Sequence, residues 1–197
     1  MPKVIVSEFL TLDGVMQAPG DPNEDTSGGF ARGGWQLAYF DDVFGKVMTD
    51  AFAETGGYLL GRRTYDIFAA HWPNQSTDDP LAATFNAAPK YVVSTTLREP
   101  LPWQNSHLIS GDVPAALRKF KEGAGKDIQV IGSGGLVQTL MSEGIVDEYR
   151  LMLHPLLLGG GKRLFRDGGP AVKLKLVDST VTTTGVVMLT YVPAPGV

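Results

Sequence analysis

The chain has 197 residues and is 43% hydrophobic, enough to bury one substantial core within a single domain spanning residues 1–197. Its formal net charge of -4 leaves no basic face for nucleic acid, because the 17 Lys and Arg are scattered. Cysteine is absent, which excludes disulfides, a thiol nucleophile, thiolate metal sites and the usual zinc-deaminase signature.

No apolar run approaches the roughly 20 residues of a membrane span. The opening "MPKVIVSEFLTLDG" lacks the basic region, apolar core and cleavage site of a secretory signal, so the chain reads as cytoplasmic, with a small molecule as its expected partner. "KVIVSEFLTL", Lys3 to Leu12, predicts a first strand. Met16 to Gly34 is rich in Gly, Pro and Asp and predicts a long loop, a length often associated with a lid. From Phe40 to Phe52, apolar residues recur at i, i+3, i+4 and i+7, the spacing of a helix with one buried stripe.

Strands and helices then alternate. "GYLLG" predicts a strand, Arg63 to Ala70 a helix, Leu81 to Ala87 a short helix and "KYVVST" a strand; "SHLIS" is the next strand. Asp112 and Pro114 open a helix that Gly123 closes, and "DIQVIG" leads into "VIGSGGLVQTLM". The last third holds three strands with little room for helices, two of them joined by a turn around Thr183 to Gly185. The pattern predicts an α/β fold with a mixed, mainly parallel sheet, helices on both faces and antiparallel C-terminal strands.

Three strand exits contain groups that suit a phosphorylated ligand. Gly132, Ser133, Gly134 and Gly135, with Leu136 opening the following helix, read equally as an anion cradle at a helix N-terminus or as a tight turn needing small residues. Neither G-x-x-x-x-G-K-[ST] nor G-x-G-x-x-G is present. In "LLGRRTYDIF", Gly61, Arg62, Arg63 and Thr64 place guanidinium, hydroxyl and backbone donors at another strand end, although an arginine pair is also an ordinary solvated surface feature. Ser94, Thr95 and Thr96 follow a third strand and offer neutral donors, or simply cap its exit. Together the three describe a dinucleotide lying across the strand ends. Asp13-Gly14 reads first as an Asp-Gly turn and second as a substrate contact or catalytic carboxylate. His71, His107 and His154 have no metal-site spacing, so no metal is expected.

Ile131 to Phe165, "IGSGGLVQTLMSEGIVDEYRLMLHPLLLGGGKRLF", resembles the C-terminal reductase domain of the bifunctional riboflavin-biosynthesis deaminase-reductase, a family with the dihydrofolate reductase fold. The resemblance extends over nearly the whole chain and implies a three-layer α/β/α architecture. "GRRTY" is similar to the G-R-x-T-[WY] of dihydrofolate reductases, which implies that Arg62 and Thr64 bind NADPH phosphates. It further implies that Ser94 and Thr95 flank the adenosine, that Gly132 to Gly135 cradle the pyrophosphate and that Asp13-Gly14 lies near the nicotinamide and substrate. The implied activity is reduction by NADPH of a riboflavin-like or pterin-like heterocycle or a ribosylaminopyrimidine. Gln36 stands where folate reductases carry a substrate-binding acid and Ser133 where riboflavin reductases carry Glu; the deaminase half has no counterpart here. A homodimer through the terminal strands is expected. The alternative is a nucleotide-binding or ligand-sensing protein that retains the fold without catalysis.

Overall fold

In a computed structural model describing residues 1–196, the chain forms one eight-stranded sheet. Its strands are β1 (Val4–Thr11), β2 (Gly57–Gly61), β3 (Lys90–Val93), β4 (Ser106–Ile109), β5 (Ile128–Ile131), β6 (Glu148–His154), β7 (Leu174–Val181) and β8 (Val187–Pro193). The helices are α1 (Asp42–Ala53), α2 (Arg62–His71), α3 (Pro80–Ala87), α4 (Val113–Glu122) and α5 (Gly134–Ser142). The order across the sheet is β4-β3-β2-β5-β1-β6-β8-β7. The first six strands in that order are mutually parallel, and β8 pairs antiparallel with both β6 and β7. The mixed sheet with antiparallel terminal strands is thus as the sequence predicts.

β1 is nearly continuous in apolar residues because, as a central strand, it is covered on both faces. Alternation sorts the layers. Leu59 of β2 and Val4, Val6 and Leu10 of β1 pack with Leu117 of α4 and Val137 and Leu140 of α5. On the opposite face, Tyr58 and Leu60 of β2 pack with Phe52 of α1, Tyr65 of α2 and Phe85 of α3. The architecture is therefore a three-layer α/β/α sandwich.

Local chemistry fixes the helix ends. Asp112 accepts from the Ala115 amide at 2.9 Å, Pro114 occupies the first turn of α4 and Gly123 ends it, as the sequence predicts. The first helix starts two residues later than its apolar period suggests. Asp41 accepts from Phe44 N at 2.7 Å and caps the helix there, leaving Phe40 outside. The same carboxylate accepts from Thr183 N and Oγ1, at 2.7 and 2.6 Å, and ties α1 to the β7–β8 turn. Among the described residues, no helix is long and apolar enough to cross a membrane.

Lys90 is fully buried. Its Nζ donates to the carbonyls of Phe85 and Asn86 at 3.1 Å and lies 4.2 Å from the Trp103 ring centroid. Burial pulls its pKa down to about 8. Between pH 8 and 10 the unfolded chain keeps a proton on this lysine that the native state has released, so stability contributed here rises with pH. Thermal or urea unfolding of the wild type, relative to Lys90→Met, is expected to show a gain of about 1–2 kcal/mol across that window. A flat difference would place the lysine's titration elsewhere.

Candidate functional site

All the parallel strands end on one edge, so the strand exits collect on a single rim. β2 and β5 are neighbours, but the helices that follow them, α2 and α5, lie on opposite faces of the sheet. A crevice opens where neighbouring strands send their helices to opposite faces. It is flanked here by Gly61–Thr64 on one side and by Gly132–Leu136 on the other.

Ser133 joins the two sides. Its Oγ accepts from Gly61 N at 2.9 Å and donates to the Ile131 carbonyl at 3.0 Å, while its amide donates to Thr64 Oγ1 at 2.9 Å. Gly132 (φ +58°) turns the chain so closely onto Thr64 that a Cβ there would lie 3.1 Å from Thr64 Oγ1. The amides of Gly134, Gly135 and Leu136 open α5, where a helix has no internal acceptors for them. A Cβ on Gly135 would meet nothing within 4 Å, so that residue is open, whereas the flexible Met16 side chain lies over Gly134. Arg166 Nη2 lies 4.0 Å from the ideal Cβ position of Gly134.

Arg62 completes the β2–β3 side. Its Nη1 donates to Thr96 Oγ1 at 2.6 Å, and Thr96 Oγ1 is 3.4 Å from Ser94 Oγ. The Gly61, Ser94 and Gly132 segments, far apart in sequence, therefore meet along one rim. This cradle of main-chain amides, a guanidinium and hydroxyls has the chemistry to hold a phosphorylated cofactor.

Several side chains have duties different from those expected. The Ser133 hydroxyl is spent on Ile131 and Gly61, so it builds the platform instead of donating to a ligand. Ser94 Oγ accepts from the amides of Thr96 and Leu97 at 3.2 and 3.1 Å, and Thr96 partners Arg62. Thr95 is exposed on the rim. Arg63 points toward the long loop, with Nη1 3.3 Å from Ser27 Oγ and 3.8 Å from Asp25 Oδ2.

The carboxylate of Asp13 is held by bonds from both near and distant residues. It receives the Thr11 hydroxyl at 2.5 Å and the amides of Gly159 and Leu158 at 2.7 and 3.2 Å. Those bonds, the Thr11 hydroxyl foremost, hold its carboxyl below the usual aspartate range. The ionised carboxylate thus clasps the "LLLGGG" loop. Gly14 (φ +78°) donates to the Thr11 carbonyl, forming the tight turn expected of Asp-Gly.

The loop from Met16 to Gly34 is ordered by a latch that its composition does not announce. Lys162 Nζ donates to Asp25 Oδ2 at 2.5 Å and Ser27 Oγ at 2.6 Å, and Gln17 Nε2 donates to the carbonyls of Asp25 and Ser27. Burial opposes ionisation of Asp25, but the bonds from Lys162 and Ser27 outweigh it and keep the carboxyl below the usual range. Just beyond the loop, Gln36 is buried and its backbone N–H donates to Pro19 O within it. Asp25→Ala is expected to speed proteolytic nicking between residues 17 and 34 several-fold, with little change in melting temperature. Unchanged cleavage would mean that the latch does not hold the loop.

Glu8 is a buried acid at the crevice with no counterpart among the residues expected from the sequence. It lies on β1 in the row of Val4, Val6 and Leu10, is 4% exposed, and its Oε1 has no hydrogen-bond partner. Burial pushes its carboxyl well above the ordinary glutamate range, and the Gly132 amide offsets only part of that. The available signal was one acid inside the apolar run "VIVSEFLT". Among the described residues, no three of His, Asp and Glu gather as a metal site would require.

Similar proteins sharpen the picture. The Bacillus subtilis uncharacterized protein YyaP is 32% identical over 146 residues, covering 73% of this chain and 77% of its own. A candidate riboflavin biosynthesis protein from Shewanella sp. PV-4 superposes with a TM-score of 0.74 at 20% identity, covering 98% of this chain and 99% of that one. A Thermotoga maritima diaminohydroxyphosphoribosylaminopyrimidine deaminase/5-amino-6-(5-phosphoribosylamino)uracil reductase superposes with a TM-score of 0.63 at 15% identity. This match covers 98% of the present chain but 57% of that protein. Enterococcus faecalis dihydrofolate reductase, solved with NADP(H), gives a TM-score of 0.60 at 10% identity, covering 98% and 97% of the two chains. These superpositions establish the shared fold. The model of the RibD C-terminal domain matches residues 2–188, so the chain belongs to the RibD C-terminal domain family.

Proposed function

We propose that the protein is an NADPH-dependent reductase acting on a small heterocyclic or ribosylaminopyrimidine-type substrate. The observation that carries this reading is the convergence, at the β2–β5 crevice, of the α2 and α5 N-termini with the Arg62–Thr96 pair. The amides of Gly134, Gly135 and Leu136 and the nearby Arg166 guanidinium hold the pyrophosphate, and Arg62 with Thr96 holds the 2'-phosphate. When bound, NADPH supplies hydride. The chain positions the reacting molecules and excludes solvent through the latched loop. Asp13 and Asp25 are both held ionised, so neither provides the accompanying proton, and water is assigned that role.

Absorbance of the reduced nicotinamide, followed with the ribosylaminopyrimidine and with dihydrofolate, tests the reading. Oxidation that requires one of these substrates supports it. The missing proton donor at Asp13 favours a second reading, a nucleotide-binding protein without turnover, for which NADPH binds and no substrate accelerates its oxidation. A homodimer through the terminal strands belongs to the same proposal. Leu176, Val177 and Val181 on edge strand β7 are 47%, 50% and 65% exposed, and sedimentation would show the state directly.

A further inference from the structure

We propose that the Glu8 carboxyl is a cofactor-binding group that pairs with the carboxamide of the nicotinamide ring; the assignment rests on the NADPH reading above. A polar atom buried without a partner costs stability, and Val or Ile would fill the same place in the row between Val6 and Leu10 without that cost. Where such an atom lies beside a ligand crevice, the ligand is its natural partner.

The strand order determines which part of the ligand it meets. Arg62 and Thr96 lie at the ends of β2 and β3, the Gly132–Leu136 turn at the end of β5, and Glu8 on β1, next in the order β3-β2-β5-β1. Strands lie about 4.8 Å apart, so β3 to β1 spans about 14 Å. A cofactor with its 2'-phosphate at Arg62 and its pyrophosphate at the glycine turn must carry its remaining end toward β1. Ser7 pairs with Ile131, which places Glu8 level with Gly132, the first residue of that turn. The α5 side is closed by a flexible side chain: Met16 Sδ lies 2.7 Å from the ideal Cβ position of Gly134.

The chemistry selects the carboxamide. Among the described residues no cation relieves the burial of Glu8, which favours its protonated form; beside the bond from the Gly132 amide, that form presents an O–H donor next to a carbonyl acceptor. A primary amide presents the complementary pair, an acceptor beside an N–H donor. A phosphate would accept from the O–H but offer no N–H donor to the carbonyl oxygen beside it.

Titrations of NADPH and of its reduced 3-acetylpyridine analogue, in which a methyl ketone replaces the carboxamide, test the pairing in wild type, Glu8→Leu and Glu8→Gln. Wild type is expected to prefer NADPH over the analogue by about tenfold or more. Glu8→Gln, which keeps a neutral donor and acceptor, should stay within a few-fold of wild type. Glu8→Leu should lose about tenfold toward NADPH and no longer distinguish the two ligands. If wild type binds no NADPH, the cofactor reading itself fails and the pairing falls with it. If NADPH binds but Glu8→Leu retains its affinity, or still discriminates against the analogue as wild type does, the pairing alone is wrong. A Glu8→Leu variant that binds normally and loses only turnover would likewise overturn it.

Discussion

Arg62→Ala is expected to weaken NADPH binding by about 1–3 kcal/mol, a five- to 150-fold rise in Kd, while leaving NADH nearly unchanged. The guanidinium is half exposed, donates to Thr96 Oγ1 at 2.6 Å and lies 3.4 Å from Asp66. An exposed i,i+4 pair contributes a few tenths of a kcal/mol, so the fold should hardly register its loss. A doubly charged phosphate on a planar donor fork is a stronger interaction, and only NADPH carries it at this position. Parallel titrations at fixed ionic strength measure the difference. An equal loss for both cofactors would mean that Arg62 supports the helix end generally and does not read the 2'-phosphate.

Glu8→Leu is expected to stabilise the ligand-free protein, by about 1–3 kcal/mol at neutral pH, because an apolar side chain replaces a buried acid with an unpartnered oxygen. The sign of the pH dependence follows from the raised carboxyl. Below the ordinary glutamate range both the folded and the unfolded chains hold the proton. Above that range the unfolded chain has released it while the folded chain retains it, so wild-type stability falls as pH rises toward the folded value. The advantage of Glu8→Leu should therefore be smallest near pH 4 and grow toward neutrality. Urea unfolding across that range measures it. Destabilisation at every pH would show that Glu8 Oε1 has a native partner beyond the Gly132 amide that engages the carboxyl.

Both predictions come from the same rim, and only one was legible beforehand. Arg62 announces itself because a Gly-Arg-x-Thr run after an apolar strand puts donors at a strand exit whatever the sheet order. The α4 boundaries were equally readable, since Asp112, Pro114 and Gly123 act through bonds within a few residues of themselves. The start of α1 was not: Phe40 continues the apolar period, but Asp41 caps the helix while also holding Thr183, 142 residues away. The insertion of β5 between β1 and β2 is another long-range result, depending on which face each crossover helix covers.

The same distinction runs through the site. Glycines and hydroxyls at three strand ends were visible in the sequence, but the use of each hydroxyl was not. Ser133 is satisfied by Gly61, 72 residues earlier, and Asp13 by Leu158 and Gly159, almost 150 residues later. Asp-Gly has one local meaning as a turn, and its carboxylate found a second, distant role as a loop clasp. Glu8 could be seen as an odd acid in an apolar strand. That it is buried with one oxygen unpartnered depends on tertiary packing around β1, which the strand's own residues do not reveal.

A crystal structure with NADPH at saturating concentration would show whether the rim of strand exits holds the cofactor. The pyrophosphate should rest on the amides of Gly134, Gly135 and Leu136, with the 2'-phosphate at Arg62 and Thr96 and the nicotinamide end over β1. Cofactor density on another part of the molecule, or none at saturation, would contradict the account.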